Sequence, residues 1–351
     1  MYHTQARRGV QSAITLKALV NVVDAQVVLR DGCAMTPPPA SLPDIDAMMD
    51  LVARFETACD SDTALANAEM DELLRHVPGK RAVLSGKWQG RPVVFRLFLQ
   101  PDSPAPQRNW DEMVRVWPQM HSAPHCIAEP LHFSPEHQLL VMSYAPGTPL
   151  MQHIWQSDPG TREQWLAPAA RWLRAYAQGS EFEVRARAGV WFERAEKAAA
   201  TQPHRNLARL EASVLEQLRR LLPAFEQPWR NAITHGDFHP NNLLLEGTCL
   251  TGIDVGGSAA IPIYKDMARF LMHMGRRGLI PSGQTRFGVD ANGIDAFAAS
   301  FELNAHERDL VLPFMLGCEA LLRVEHKGIK RGRVRRAVDM TEKLLADLVQ
   351  I

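Results

Sequence analysis

The sequence predicts an α+β fold in two lobes, with a small antiparallel β-rich N-terminal lobe and a larger, mainly helical C-terminal lobe. Three observations predict this fold class. Short β-type runs lie between residues 73 and 99, separated by Pro78-Gly79 and Gln89-Gly90, and such dipeptides are typical of hairpin turns. Apolar residues recur at helical spacing from residue 162 onward. Only one β-type interruption, at 243–253, is expected within that helical part.

Residues 1–65 are predicted to form an N-terminal extension. Within it, the β-branched run 20–29 ends at Asp31-Gly32 and predicts a strand followed by a turn. The proline-rich stretch 36–40 predicts a stiff connector, and the apolar spacing of 41–66 predicts one or two helices.

The N-terminal lobe is predicted to span 66–144. Its expected elements are strands at 73–77, 81–85 and 92–99, a helix at 109–119 and a strand at 139–144. Histidines, prolines and Cys126 concentrate between that helix and the last strand. The spacing of the histidines and the cysteine fits no common zinc pattern. We therefore predict an irregular connection with ordinary loop histidines, carrying His121, His125, His132, His137, Pro124, Pro130 and Pro135.

The C-terminal lobe is predicted to span 145–351. Apolar residues make up 46% of the 351-residue chain, which is enough for a sizeable core. Helices are expected at 162–178, 190–222, 264–276, 293–303, 307–324 and 334–349.

The charge balance argues against a nucleic-acid partner. Lys plus Arg and Asp plus Glu are equal at 39 each, whereas nucleic-acid-binding proteins usually carry a basic excess. One basic run lies near the C-terminus, and we interpret it as a solvated face in preference to a polyanion site. Its members are Lys327, Lys330, Arg331, Arg333, Arg335 and Arg336.

The cysteines and the apolar runs indicate a cytoplasmic protein without a membrane span. Five scattered cysteines form no Cys-x-x-Cys pair, which favours reduced thiols over a disulfide framework. No uninterrupted apolar run approaches the ~18 residues that a membrane-spanning helix needs.

The segment 233–245 carries the chemistry. Asp237 precedes Asn242 by five positions, in a His-Gly-Asp sequence flanked by apolar residues. This is the Asp-to-Asn spacing of a kinase catalytic loop. A loop of this length holds both side chains on one side, so that the carboxylate faces a hydroxyl group while the amide oxygen reaches a metal ion. Pro240 stiffens the exit of the loop by fixing φ.

A second carboxylate follows the predicted hairpin at 243–253. Asp254 lies twelve positions after Asn242, in the sequence Gly-Ile-Asp. A carboxylate there completes a set of hard oxygen ligands, which Mg²⁺ prefers. Gly256 and Gly257 let the backbone bend away directly afterwards.

With these residues, the chain resembles the aminoglycoside phosphotransferase and choline kinase family of the protein-kinase-like superfamily. Gly236 stands where protein kinases normally carry Arg, which favours the small-molecule branch. The resemblance implies a protein-kinase-like fold and transfer of the ATP γ-phosphoryl group to a hydroxyl of a small molecule, with Mg²⁺. It implies that Asp237 orients the hydroxyl and takes its proton, and that Asn242 and Asp254 are metal ligands.

Three further residues are expected to support this site. Asp266 and Arg269, in Tyr-Lys-Asp-Met-Ala-Arg, match a family pattern in which the Asp braces the catalytic loop. His235 is expected to hydrogen-bond the backbone there, since Asp237 already fills the role of base.

The nucleotide side resembles the family less closely. Arg96 occupies the slot of the strand Lys that holds the α- and β-phosphates in kinases, and Glu112 is the expected helix partner. The alternative is an exposed strand residue at 96. Backbone atoms of Met142, Ser143 and Tyr144 are expected to meet the adenine edge, and Met142 is equally interpretable as core.

The glycine-poor turn at 77–80 and Arg96 keep other functions open. One alternative is a pseudokinase, that is, a binding module of the same fold. Another is a kinase that acts on a lipopolysaccharide sugar or on a protein. The basic C-terminal run would suit an anionic glycolipid acceptor. The acceptor and the oligomeric state are not readable from the sequence.

Overall fold

The computed structural model describes residues 45–256 and 259–351. These residues form two compact units. The N-terminal unit contains 45–118 and 128–145, and the C-terminal unit contains 119–127, 146–256 and 259–351. The α+β class, with a β-rich N-terminal region and a helical C-terminal region, is confirmed. The domain boundaries placed after residues 65 and 144 stay predictions.

Some predicted features lie outside the described residues. They are the strand at 20–29, the turn at Asp31-Gly32, the connector at 36–40, and Gly257 of the bend after Asp254.

The N-terminal unit is built on a five-stranded antiparallel sheet with the order β1-β2-β3-β5-β4. The strands are β1 (Glu69–Val77), β2 (Arg81–Trp88), β3 (Arg91–Phe98), β4 (Pro130–Ser134) and β5 (Leu139–Ser143).

Local sequence explains the meander of β1, β2 and β3. Gln89 and Gly90 both adopt positive φ values, 51° and 76°, as a two-residue hairpin turn with the twist of the sheet requires. Gly79 does the same between β1 and β2, with φ 66°. In β2, every second residue from Ala82 onward is buried, which is the period of a strand with one face on a core.

Two helices belong to this unit, α1 (Ile45–Ser61) and α2 (Ala105–Val116). The first confirms the helix predicted at 41–66, within its described part. Its apolar face, including Leu51 and Phe55, shares one buried core with Leu84 and Phe95 of the sheet. The rings of Phe55 and Phe95 meet edge to face at 4.9 Å, a favoured aromatic geometry.

The predicted irregular connection at 121–137 is wrong. Residues 130–134 form β4 at the edge of the sheet, and His121–Ser122 and His125–Ile127 are short strands of the C-terminal unit. Pro130 is tolerated because it is the first residue of an edge strand, where no ladder N–H is missed. The proline signal therefore marked the strand's start.

The C-terminal unit is mainly helical, as predicted. Its short strands are Thr148–Pro149, Phe182–Val184, Ala260–Pro262, Thr285–Arg286 and Val289–Asp290, beside β6 (Trp229–Ile233), β7 (Leu243–Glu246) and β8 (Cys249–Gly252). Its helices are α3 (Leu150–Gln156), α4 (Leu166–Ala177), α5 (Ala188–Ala199), α6 (Arg205–Leu221), α7 (Ile263–Gly275), α8 (Ala291–Ser300), α9 (Leu312–Leu322) and α10 (Arg331–Leu348), with a π-helical turn at Glu307–Val311 and 3₁₀ turns at Pro159–Trp165, Leu222–Ala224 and Pro240–Asn242.

Two predictions for this unit need correction. The single helix expected at 190–222 is two helices, α5 and α6, because Pro203 disfavours helical geometry at the residue before it. The expectation of only one β interruption is also wrong, since β6 pairs with Phe182–Val184 and Ala260–Pro262. The strand β6 was not predicted because Arg230 interrupts its apolar run. In the structure, the Arg230 guanidinium forms an ion pair with Glu307 at 2.6 Å.

The hairpin β7–β8 confirms the strand pair predicted at 243–253. It continues into a five-stranded sheet, since β8 pairs in parallel with His125–Ile127 and β7 pairs with Thr148–Pro149. None of the helices within 45–256 and 259–351 is long and apolar enough to cross a membrane.

Candidate active site

The loop 234–242 connects β6 to β7 and is pinned to the chain that leaves the hairpin. His235 lies with its Nε2 3.0 Å from the carbonyl oxygen of Ile253. The N–H of Ile253 donates to the carbonyl of Asn242 at 2.9 Å. Gly236 adopts φ 83°, a conformation that glycine reaches without steric cost. The loop is therefore fixed against the backbone that carries Asp254.

The amide of Asn242 is oriented by its own loop. Its Nδ2 donates to the carbonyl of Asp237 at 3.0 Å, and its N–H donates to the carbonyl of His239 at 2.9 Å. With Nδ2 committed, Oδ1 is the amide atom that remains for another contact. Among the hydrogen bonds of the described residues, none uses this oxygen.

Asp254 stands two residues after β8 in an uncommon backbone conformation. Its φ is 61°, in the left-handed region that few residues other than glycine occupy. Such a conformation costs on the order of 1–3 kcal/mol and occurs preferentially at functional sites. The Asn242 amide and the Asp254 carboxylate offer hard oxygen ligands of the kind that Mg²⁺ binds. The two residues fit a divalent cation site by donor type and by the backbone bond that joins their segments.

The carboxylate of Asp237 is surrounded by cationic groups. Arg269 donates from Nε to Oδ1 at 2.8 Å, and the Nη2 of Arg323 lies 3.6 Å from the same oxygen. His239 Nε2 lies 3.6 Å from Oδ2. The Asp237 side chain is 55% exposed, so these contacts leave part of the carboxylate open to a ligand.

The pKa of Asp237 follows from these neighbours. Burial alone would raise it, but the hydrogen bonds and charges of His239 and Arg269 outweigh burial and hold the pKa well below the ordinary aspartate value. Burial also lowers the pKa of His239, so Arg269 is the partner that remains charged near neutral pH. Asp237 is therefore ionised throughout the neutral range.

The first turn of α7 binds the loop 234–242 through hydrogen bonds to the backbone of Gly236. Asp266, which is fully buried, accepts a hydrogen bond from the N–H of Gly236 at 2.7 Å. Lys265 donates to the carbonyl of Gly236 and lies 3.2 Å from Asp266 Oδ1. Both backbone groups of Gly236 are thus bonded to adjacent residues of one helix.

Glu319 and Arg323 of this site were not predicted from the sequence. Glu319 of α9 is 1% exposed and accepts from Arg323 Nε at 2.7 Å, with Arg269 Nε at 3.6 Å. A signal existed, because Glu319 is the one charged residue in the otherwise apolar helix Leu312–Leu322. A lone charge in an apolar helix requires a buried partner, and here it has two arginines.

Arg96 in the N-terminal unit is 5% exposed, so the alternative of an exposed strand residue is wrong. Its Nη1 donates to Asn109 Oδ1 at 2.8 Å. Glu112 accepts from Arg115 at 2.7 and 2.8 Å. A pairing of Arg96 with Glu112 stays a prediction.

The backbone expected to meet adenine is already partly engaged. The N–H of Ser143 donates to the backbone carbonyl of Glu129 at 3.0 Å, and the N–H of Tyr144 donates to the carbonyl of Pro92 at 3.2 Å. Met142 is buried in β5, while Tyr144 is exposed. A contact of Ser143 or Tyr144 with adenine is thereby limited to carbonyl oxygens and side chains.

Comparison with known proteins identifies the relatives. A family model described as a phosphotransferase enzyme family matches residues 63–297. No curated protein matches the chain with significance.

Solved structures share the fold. A choline/ethanolamine kinase family protein from Mesorhizobium loti superposes with a TM-score of 0.55 at 16% identity, covering 87% of this chain and 100% of that one. An amicoumacin kinase in complex with AMP-PNP, Ca²⁺ and Ami gives 0.53 at 13% identity, covering 85% and 96%. An aminoglycoside phosphotransferase in a ternary complex with ADP and hygromycin B gives 0.52 at 14% identity, covering 86% and 97%. The predicted protein-kinase-like fold is confirmed.

Proposed function

The chain belongs to the phosphotransferase enzyme family, and from that premise we propose that it transfers the γ-phosphoryl group of ATP to a hydroxyl of a small molecule. One observation carries this proposal. The loop 234–242 carries the half-exposed carboxylate of Asp237 and the oriented amide of Asn242. A backbone hydrogen bond joins this loop to the segment that bears Asp254. The structural neighbours crystallised with ADP or with AMP-PNP and Ca²⁺ support nucleotide and divalent-cation binding.

In this proposal, Asp237 orients the acceptor hydroxyl. A carboxylate with a low pKa accepts a hydrogen bond strongly but takes up a proton only late in the reaction. This suits phosphoryl transfer, in which positioning and charge stabilisation contribute more than early deprotonation of the acceptor. Arg269 fixes one carboxylate oxygen, at 2.8 Å, and so directs the other towards the acceptor.

Asn242 Oδ1 and the Asp254 carboxylate would hold Mg²⁺. When bound, this ion would neutralise charge on the β- and γ-phosphate oxygens. The protein's own contribution is to fix both ligands before binding, through the Asn242 side-chain bond to Asp237 and the backbone bond between Ile253 and Asn242. His235 and Asp266 support this arrangement by holding the loop from two sides.

The N-terminal unit is proposed to bind the nucleotide. Arg96, steadied by Asn109, would supply charge for the phosphates, with Glu112 on the same helix as Asn109. Adenine would meet the Met142–Tyr144 segment through carbonyl oxygens, which accept from its exocyclic amino group. Arg cannot reproduce the compact charge of Lys, so phosphate binding here differs in geometry from a Lys-based site.

The test is ATP consumption over a library of hydroxyl compounds. Asp237→Ala should lower turnover roughly 10²–10⁴-fold, while Asp254→Asn should also weaken stabilisation by Mg·ATP. Asp339→Asn, an exposed carboxylate on α10, serves as the matched control and should leave turnover unchanged. Full activity of Asp237→Ala on an accepted substrate would refute the proposed role.

A second candidate is a nucleotide-binding module without turnover. Arg96 in place of Lys and the single-glycine turn at Gly79 favour it, since glycine-rich loops normally supply the backbone N–H groups that cradle phosphates. Thermal stabilisation by Mg·ATP that disappears in Asp254→Asn, without ATP consumption on any acceptor, would favour this candidate over the enzyme.

We also infer a cytoplasmic location, because the proposed reaction consumes ATP and because all four cysteines within the described residues are free thiols. Fractionation of cells that express the chain would test it, and recovery outside the cytoplasmic fraction would contradict it.

A further inference from the structure

Arginines concentrate next to Asp237 in the C-terminal unit. Arg269, His273 and Arg277 are spaced by four along α7 and the turn that follows it, so they share one helix face. The chain that leaves α9 adds Arg323, and the first turn of α10 adds Arg333. We call Arg277, Arg323 and Arg333, the three members nearest to open solvent, the outer arginines.

The buried part of this cluster is neutralised internally. Arg269 is matched by Asp237 and Glu319. Arg276 is matched by Glu325, with Nε at 3.0 Å and Nη2 at 2.9 Å from Oε1. Asp237 and Glu325 are therefore paired with buried arginines, whereas Glu319 is shared between Arg269 at 3.6 Å and the outer Arg323 at 2.7 Å.

The outer arginines are matched less completely. Arg333 Nε is 3.8 Å from the Glu325 carboxylate, which already forms a closer ion pair with Arg276. Arg323 uses Nε for Glu319 and is 36% exposed, with Nη2 3.6 Å from Asp237. Each of these two guanidinium groups keeps donors for a further anion, since a guanidinium carries five N–H groups.

Arg277 is the most informative member. It donates from Nη1 to the carbonyl of His273 at 2.7 Å, and no ion pair among the described residues includes it. Burial, followed by the charges of Arg333 and Arg269, lowers the pKa of Arg277 to about 9. A partly buried cation among other cations opposes folding, and such groups are characteristic of functional sites.

The whole neighbourhood carries a positive excess. The carboxylates that face it are Asp237, Glu319, Glu325 and Glu211, and burial raises the pKa of Glu211 to about 7. His239 and His273 also face it, stacked at 4.4 Å, and burial lowers the pKa of both. The arginines of this neighbourhood, which interact electrostatically with one another, are Arg269, Arg276, Arg277, Arg323, Arg333 and Arg336.

We propose that Arg277, Arg323 and Arg333 form an anion-binding subsite beside Asp237, and that the acceptor carries a carboxylate or phosphate group in addition to its hydroxyl. This inference rests on the proposed function, in which Asp237 meets the acceptor hydroxyl. Guanidinium groups bind both anions through paired hydrogen bonds. A cationic acceptor would be repelled from the same place.

The first experiment compares acceptors that differ only in charge. Glycerol, glycerate, glycerol 3-phosphate and 3-amino-1,2-propanediol form one matched set, and glucose, glucuronate, glucose 6-phosphate and glucosamine form another. We expect ATP consumption to favour the anionic members, with KM roughly ten- to a hundredfold below the neutral compound. The carboxylate and phosphate members separate the two anion types. Equal or better use of the neutral or amino compounds would overturn the inference and leave the proposed function intact.

The second experiment locates the subsite. Arg277→Gln and Arg333→Gln should raise KM for the anionic acceptor roughly ten- to a hundredfold, with little change in kcat or in KM for ATP, and Arg277→Lys should restore part of the affinity. A rise in KM for ATP alone would assign the cluster to the nucleotide and refute the proposal. Arg331→Gln and Arg335→Gln remove the same charge from a different place, a groove of about 570 Å³ lined with His204, and should leave KM unchanged.

A third readout does not depend on turnover. Inorganic sulfate and inorganic phosphate should raise the Tm of the nucleotide-free protein. Arg277→Gln should reduce this rise without lowering the Tm in the absence of the anions, because no ion pair within the described part of the chain includes Arg277. An unchanged response in Arg277→Gln would contradict the subsite. The protein could also bind these anions through Arg277 and yet consume no ATP with any of the acceptors. That result would refute the proposed function but support the subsite.

Discussion

At the scale of single residues, the ion pair between Asp237 and Arg269 has two consequences. It orients the carboxylate, with Nε and Oδ1 2.8 Å apart, and it keeps Asp237 ionised at any neutral pH. Because more than half of the side chain is exposed, solvent screens this pair and its net contribution to stability is small. The pair is better explained by positioning than by stabilisation.

The lowered pKa of Asp237 predicts how stability depends on pH. A carboxylate whose folded pKa lies below its unfolded value, about 3.9, stabilises the fold above that value and loses the effect as pH falls towards the folded pKa. We therefore expect wild type to exceed Asp237→Asn in stability at pH 5–7, and the difference to shrink below about pH 4. Urea unfolding at several pH values measures this. A difference that grows as pH falls would contradict the assigned pKa shift.

At the scale of elements, α7 and α9 explain why the site is built around buried charges. Asp266 in the first turn of α7 and Glu319 in α9 are almost fully buried. Asp266 accepts a hydrogen bond from Gly236 of the loop 234–242, and Glu319 accepts one from Arg323. Removing one partner of such a set leaves an uncompensated charge, which costs about 3–5 kcal/mol. These helices therefore fix the loop through contacts that tolerate little change.

The hairpin β7–β8 positions Asp254, and Gly252 is its most constrained residue. A Cβ at this position would overlap the indole ring of Trp172. This ring is fully buried, and its Nε1 donates to the backbone carbonyl of Cys126 at 2.9 Å. Because the ring cannot yield, Gly252→Ala should shift the end of β8 and with it Asp254.

We expect Gly252→Ala to lower stability by about 1–3 kcal/mol, as overpacking does, and to reduce thermal stabilisation by Mg·ADP. Differential scanning fluorimetry with and without Mg·ADP measures both effects. Gly189→Ala in α5 is the control, since a Cβ there has no described atom within 4 Å beyond its chain neighbours and the backbone of its own helix. Unchanged stability and nucleotide response in Gly252→Ala would show that the hairpin adapts and does not fix Asp254.

At the scale of the whole molecule, periodicity and turn chemistry predicted most of the fold. The β1–β3 meander, the β7–β8 hairpin and most helices of the C-terminal unit follow from local patterns. The strands β4 and β6 did not, because Pro130 and Arg230 break the local pattern and are accommodated by an edge position and by Glu307. The loop spacing predicted that Asp237 and Asn242 would share one loop, whereas the network of Glu319 and Arg323 depends on helix packing that no local pattern encodes.

Three buried or partly buried cysteines can be used to follow unfolding of the two units. Burial, followed by nearby carboxylates, raises the pKa of Cys59 to about 11, and burial with the adjacent Cys249 thiol raises the pKa of Cys126 to about 12. Cys318 is fully buried and its pKa is raised further. Since the thiolate is the reactive form, these three thiols should resist alkylation in the folded protein at pH 8.

Peptide-resolved mass spectrometry after iodoacetamide treatment measures each thiol separately. We expect Cys59, Cys126 and Cys318 to react at least about a hundred times more slowly in the native protein than in guanidinium chloride, where each has an ordinary pKa near 8.5. Cys59 lies in the N-terminal unit and the other two in the C-terminal unit. Loss of protection at Cys59 alone on heating would therefore show that the units unfold separately, whereas simultaneous loss at all three would show one cooperative transition. Native reaction rates equal to the denatured rates would contradict the burial of these thiols.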